Sequence, residues 1–356
     1  LACFVVLLFF GLLMLTSASA PMGYDKFNDK YFFIKRQILV GVLPGLVAFF
    51  VLAKIKYNFL KRYSLSIFIF SLFLAFLVFV PGIGTDLNAG AKSWIKIFDQ
   101  SFQPAEFLKI AMIIFLAGYL SSLGKELFDF KKGFLLALSL GLIPVFLVLL
   151  QPDVGTASVL FVILFGMLFV AGANIWHMLG LALSGIAGFA LMIFIAPYRA
   201  ARFMTFLHPE LDQLGIGYHV NQAFLAIGSG GVFGLGFGHS LRKYEYLPEV
   251  NADSIFAVIA EEMGFIFAAA FIVLLLFICY RAFKISKNAP DNFTRLLVSG
   301  IIIWFIAQSF MNIAAMVGLM PLTGLPLPFI SHGGTALFVA MASVGIIINI
   351  SKHTEI

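Results

Sequence analysis

Along the chain, long apolar runs alternate with short polar breaks. The runs, bounded by charge, Gly or Pro, fall at about 1–20, 37–53, 64–82, 105–122, 133–151, 155–173, 176–196, 254–280, 297–319 and 333–351. A helix rises about 1.5 Å per residue, so roughly 20 apolar residues cross the hydrocarbon core of a bilayer. The pattern therefore predicts an all-α integral membrane protein of about ten transmembrane helices. The close pairs at 151–155 and 173–176 leave open a single broken or re-entrant helix at each place. Two polar stretches interrupt the series, 83–104 and the longer 197–253, and the second is expected to be a large extracellular loop between helices seven and eight. Residues 1–356 read as one polytopic domain, with no repeat of 20 to 50 residues and no low-complexity linker.

Composition supports lipid as the solvent. Hydrophobic residues make up 62% of the chain and charged residues 11%, with 43 phenylalanines and a mean hydropathy of +1.04, too apolar for a soluble domain. The net charge of +6 does not point to nucleic acid, because most Lys and Arg lie in short segments between apolar runs, as topology signals do. With both termini inside, the inner segments carry twelve: Lys54, Lys56, Lys61, Arg62, Lys125, Lys131, Lys132, Arg281, Lys284, Lys287, Arg295 and Lys352. The short outer loops carry six: Lys26, Lys30, Lys35, Arg36, Lys92 and Lys96. The imbalance favours cytoplasmic termini, although Lys35-Arg36 argues the other way. Cys3 and Cys279 lie in apolar runs and read as small buried hydrophobes. The first 20 residues read as the first span rather than a cleaved leader.

A charge within or beside a span is costly to bury, which makes each one a candidate for function. Glu106 and Lys109 stand three residues apart on one helical face, either as a structural ion pair or as part of a substrate site. Asp153, in Gln151-Pro152-Asp153-Val154-Gly155-Thr156, is placed to cap the following helix. Asp253 closes the long loop in Leu247-Pro248-Glu249-Val250-Asn251-Ala252-Asp253-Ser254 and is likewise a capping candidate, favoured as an anion by the helix dipole. Glu261 and Glu262 follow two to three turns in, where one must enter the interior and needs a polar cavity or a partner. The glycine-rich run from Gly228 to Gly238 leads to Arg242-Lys243. Such a run can form an anion nest, but no strand precedes it, and close packing is the plainer reading. Arg199 and Arg202 open the same loop and add positive potential or meet lipid phosphates.

Six stretches, taken together and in this order, resemble the SEDS family, the FtsW and RodA type of membrane proteins that polymerise peptidoglycan. They are Ser17-Ala18-Ser19-Ala20, Lys35-Arg36-Gln37, Ser101 to Lys109, Gln151 to Thr156, Leu247 to Phe256 with Glu261-Glu262, and Gly324 to Gly334 with its Phe329-Ile330-Ser331-His332 core. The resemblance implies a protein of the bacterial cytoplasmic membrane, with ten helices, cytoplasmic termini and a site facing outside. It implies lipid II as substrate, and as partners a single-pass class B penicillin-binding protein and other division or elongation proteins. Asp253 matches the acidic residue essential for polymerisation, and Glu106, Lys109 and Asp153 match positions lining the central cavity. His332 and Thr335 stand where the family usually has Tyr and Ser, and Asn88 to Trp94 replaces a usual Asn-Gly-Ala-x-Arg-Trp. The first two stretches lean toward FtsW, while Gly324 to Pro328 is at least as RodA-like.

The reaction so implied joins the 4-hydroxyl of one disaccharide to the anomeric carbon of another and expels polyprenyl pyrophosphate. It needs one base and positive charge for the leaving group, not the two carboxylates of a glycosidase. Asp253 is the expected base. Lys243, Arg242 or a divalent cation, Mg or Mn, is expected to neutralise the pyrophosphate, with Glu106, Lys109, Asp153, Glu261 and Ser331 as further substrate-binding candidates. Two other readings stand beside this one: a flippase for the lipid-linked precursor, and a scaffold that activates the penicillin-binding protein.

Overall fold

The computed structural model describes residues 1–85, 92–97, 100–195, 197–208, 215–244 and 246–354. The chain runs α1 (Ala2–Phe27), α2 (Phe32–Gln37), α3 (Leu43–Leu52), α4 (Tyr57–Arg62) and α5 (Ser64–Phe76). Three short strands follow, β1 (Gly84–Thr85), β2 (Trp94–Ile97) and β3 (Gln100–Phe102), paired antiparallel in the order β1-β2-β3. Then come α6 (Pro104–Leu123), α7 (Leu135–Leu149), α8 (Val154–Ala171), α9 (Ile175–Ile195), α10 (Pro197–Leu207) and α11 (Ile216–Ser229). The last three helices are α12 (Ile255–Lys287), α13 (Asn292–Met316) and α14 (Gly334–Ser351). Among the described residues, nine helical segments are long and apolar enough to span a membrane, and Ser64–Phe79 is a shorter apolar helix. These ten match the ten apolar runs one for one, and the runs meeting near 151–155 and 173–176 are separate helices. The long loop adds α10 and α11, and the small sheet is the one strand structure among the described residues; neither is signalled by the hydropathy pattern. Asn88 to Ala91, part of the departure from the family pattern, and the side chain of Arg199 lie outside the described residues.

The chain forms two compact units. One comprises residues 40–182, 279–307 and 334–356. Its helices meet over small residues, as helices do in lipid, where no hydrophobic effect drives them together. A Cβ at Gly45 of α3 would stand 2.7 Å from Met341 Sδ of α14, and one at Gly345 of α14 would stand 2.6 Å from the Phe49 carbonyl of α3. Asn349 Nδ2 donates to the Leu52 and Ile55 carbonyls at 2.7 and 2.5 Å, taking up acceptors where α3 ends. Phe68 of α5 stacks on Phe115 of α6 with centroids 4.4 Å apart.

The other unit comprises residues 1–39, 183–278 and 308–333. Its central feature is a break in α12 at Gly264, where φ is 77° and ψ 179°. A break releases backbone groups that lipid cannot satisfy, and the glycine-rich segment supplies their partners. Leu235 N and Gly236 N donate to the Glu261 and Glu262 carbonyls at 3.0 and 2.9 Å. Phe265 N and Ile266 N in turn donate to the Gly231 and Val232 carbonyls at 3.0 and 3.3 Å. This backbone-to-backbone approach leaves no room for side chains. A Cβ at Gly264 would lie 2.3 Å from Gly234 N, one at Gly234 would lie 2.3 Å from the Glu262 carbonyl, and one at Gly230 would lie 2.0 Å from the Ala260 carbonyl. Gly230 and Gly234 of the run thus serve packing, whereas a Cβ at Gly228, Gly231 or Gly238 would meet open space.

Gly264→Ala combines a positive φ with a backbone collision and is expected to cost about 3 kcal/mol or more. Gly324→Ala, at φ 67° with open space around its Cβ, is expected to cost only about 1 kcal/mol. Thermal unfolding of the purified protein in detergent compares the two, and equal losses would mean that the packed break contributes nothing of its own.

Candidate active site around Asp253

Asp253 ends a tight segment that leads into α12. Ala252 N and Ser254 N both donate to the Glu249 carbonyl, at 3.0 and 3.3 Å, and Glu249 itself sits in the left-handed region at φ 47°. Ser254 Oγ donates to the Pro248 carbonyl at 2.7 Å and lies 2.6 Å from His219 Nε2 of α11. With the Ser254 proton directed to Pro248, the imidazole is the donor. Burial holds His219 down to about 4, so it is neutral near pH 7.

The three carbonyls at the end of this segment each accept from elsewhere in the same unit. The Asn251 carbonyl accepts from His332 N at 2.7 Å, the Ala252 carbonyl from Ser331 Oγ, and the Asp253 carbonyl from Asn312 Nδ2 at 2.8 Å. Asn312 shares its amide with the Leu325 carbonyl at 2.7 Å, and Ser331 Oγ accepts from Leu327 N at 2.8 Å. The Asp253 side chain contrasts with these three bonded carbonyls. Its Oδ1 is buried and has no hydrogen-bond partner. Burial, reinforced by the negative charge of Glu249, pushes the carboxyl up to about 7, while Ser254 and the charge of Arg202 pull the other way. A carboxyl with one buried, unpaired oxygen, half ionised near neutrality, is suited to proton exchange.

The remaining residues singled out from the sequence fall into separate groups. In the unit of Asp253, Lys243 Nζ donates to Glu262 Oε1 at 2.8 Å, Ser17 Oγ at 3.0 Å and the Gly238 carbonyl at 2.7 Å. Three acceptors match the three protons of an ammonium. Glu262 also accepts from Ser17 Oγ and Ser240 N, and Glu261 from Ser240 Oγ and Leu241 N. The two buried glutamates therefore hold the loop that ends in Arg242-Lys243. Arg242 is half-buried, donating to Gln222 Oε1 at 2.7 Å and lying over Tyr246. In the other unit, Lys109 pairs with Glu106 at 2.9 Å and lies over the Trp304 ring at 5.0 Å, while Glu106 Oε2 is buried without a hydrogen-bond partner. Asp153 Oδ1 accepts from Thr156 N at 2.9 Å and caps α8. Ser331 thus meets the Asp253 segment directly. His219, Glu249 and Asn312 were not singled out, although Asn312, an amide inside an apolar run, is the kind of intramembrane polar residue that signals function. Among the described residues no three His, Cys, Asp or Glu side chains gather as a metal site.

The family model described as a cell cycle protein, FtsW/RodA/SpoVE, matches residues 1–356. The chain belongs to this family. Stage V sporulation protein E of Bacillus subtilis is 39% identical over 99% of the chain and 95% of the relative. The FtsW of Haemophilus influenzae, named a probable peptidoglycan glycosyltransferase, is 38% identical over 99% of the chain and 89% of the relative. Among solved structures, a peptidoglycan synthase complex described as coordinating polymerisation and crosslinking contains a chain that matches with a TM-score of 0.79, 28% identity and 97% coverage of both chains. RodA of Thermus thermophilus matches with a TM-score of 0.73, 26% identity, and coverage of 99% of this chain and 96% of that one. In this FtsW/RodA/SpoVE member, as in the family, the chain is a multi-pass membrane protein.

Lys243→Met strands Glu262 in the interior and is expected to cost about 3–5 kcal/mol. Adding Glu262→Gln removes the uncompensated charge and should recover much of that loss. Thermal unfolding in detergent reads both variants, and a double variant no more stable than the single one would remove the ion pair as the holder of the loop.

Proposed function

We propose that this chain is a peptidoglycan glycosyltransferase that polymerises lipid II on the outer face of the cytoplasmic membrane, with Asp253 as general base. The observation that carries this reading is the Asp253 carboxyl: one buried oxygen without a partner, on a backbone pinned at three successive carbonyls. A site of this kind fixes the base while leaving it free to take a proton. The acceptor 4-hydroxyl gives its proton to the Asp253 carboxylate and its oxygen bonds to the anomeric carbon of the donor. The bond from that carbon to pyrophosphate breaks, and the electron pair leaves with the polyprenyl pyrophosphate, inverting the centre.

The leaving group needs positive charge. Arg202 is exposed and its charge reaches Asp253, which makes it a stronger candidate than Lys243, whose protons already meet three acceptors. The complex in which the similar solved chain was found, described as coordinating polymerisation with crosslinking, supports a class B penicillin-binding protein as working partner.

Asp253→Asn is expected to abolish glycan polymerisation from lipid II, measured with purified protein and its transpeptidase partner under crosslinking blockade. Full polymer from this variant would remove the assignment. With the carboxyl at about 7, the competent anion forms as pH rises, so the rate should climb through pH 7 and stand about tenfold below its plateau at pH 6. A rate flat down to pH 5 would mean that an ordinary, solvated carboxylate does the work.

A further inference from the structure

Gln37 is the last residue of α2, and its side chain is almost fully buried, with 1% of its surface exposed. Both ends of its amide are used. Nε2 donates to the Ser331 carbonyl at 3.2 Å, and Oε1 accepts from Gly333 N at 3.0 Å. A carboxamide donates from its nitrogen and accepts at its oxygen, so one side chain serves both partners. It therefore clips the two ends of the Ser331-His332-Gly333 segment. Between those ends, Ser331 Oγ and His332 N reach the Ala252 and Asn251 carbonyls next to Asp253.

The chain leading into the segment that Gln37 holds is strained. Phe329 sits at φ 68°, a conformation that a bulky L residue rarely adopts. Its carbonyl approaches α1 so closely that a Cβ at Gly11 would stand 2.3 Å away. Glu249, on the Asp253 side of the contact, is also left-handed. Two strained segments thus face each other, and strain of this kind persists where surrounding bonds over-determine it. The chain immediately after Gln37 continues as a π-helix, Ile38–Val42, a distortion often found at functional sites.

We propose that Gln37 is a positioning residue for Asp253, acting through Ser331 and His332 to hold the carboxyl where it meets the acceptor hydroxyl. The proposal rests on Asp253 as the base. Gln37 acts through its bonds to Ser331 and Gly333 rather than on the reacting atoms. A base displaced by about 1 Å loses up to about a hundredfold in rate, so the clamp is expected to act on turnover rather than on substrate affinity.

The test uses the full chain with its transpeptidase partner, and polymerisation is followed as lipid II is varied. Gln37→Met keeps the volume and removes both hydrogen bonds. It is expected to lower kcat by about tenfold or more while KM for lipid II stays within about twofold. The charged groups acting on Asp253 are Glu249 and Arg202, with the neutral His219 one residue away through Ser254. Gln37→Met alters none of them. A downward move of the pH midpoint would therefore report the carboxyl gaining solvent, which a merely structural defect would not produce. Ser331→Ala removes a single bond of the same path. It should lower kcat alone, and add little on top of Gln37→Met. If Gln37→Met does not fold, Ser331→Ala carries the same kcat and pH readout. Full kcat with an unmoved pH midpoint in the folded variant overturns the proposal, as does a rise in KM with kcat intact. Asp253→Asn at full activity would remove the base and the clamp together. Asp253→Asn inactive beside Gln37→Met at full kcat would remove the clamp alone.

Discussion

Backbone that leaves helical pairing near a bilayer must find its partners inside the protein, because lipid offers none. Much of the architecture around Asp253 follows from that constraint. The break at Gly264 opens α12, and the glycine-rich segment closes it with four backbone hydrogen bonds, two in each direction. The turn before α12 exposes three carbonyls, and they are taken by a backbone amide, a serine hydroxyl and an asparagine amide. Each solution imports residues from distant parts of the sequence, so satisfying the backbone also fixes the geometry of the site.

The carboxylates divide sharply under the same rule. Glu261 and Glu262 are buried deeper than Asp253 yet accept from serine hydroxyls, backbone amides and, for Glu262, a lysine. Asp153 is satisfied by the first turn of its own helix. Asp253 differs in keeping one buried oxygen unpaired while its own carbonyl is held by Asn312. A carboxyl left in this state is poorly suited to holding a fold together and well suited to exchanging a proton. Glu106, with an unpartnered Oε2 beside its pairing with Lys109, is the nearest parallel in the other unit.

Much of the fold was legible in the sequence because a span needs little beyond length and apolarity, and those are properties of contiguous residues. The proposed role of Asp253 came only from the family resemblance; by local rules it looked like a helix cap, as Asp153 did and is. Glu261 and Glu262 were marked as needing partners, and the partners proved to be Ser17, Ser240 and Lys243. What the sequence concealed depends on long-range closure. No local signal ties Gln37 to Ser331, or distinguishes a glycine run that packs against a broken helix from one that cradles phosphate. α10 and α11 escaped because a hydropathy reading sees them as loop.

The bonds that hold Asp253 also bear on when the site can come into being. Gln37 and Ser331 are 294 positions apart, and Ser331 reaches back 79 positions to Ala252. A ribosome that has released residue 260 has already made the carboxylate, but all three donors that pin its segment, from Asn312, Ser331 and His332, are still to be translated. The segment around Asp253 is therefore pinned only near the end of synthesis, after the ninth apolar helix has emerged, and the nascent chain inserts its eighth and ninth apolar helices before that pinning is complete.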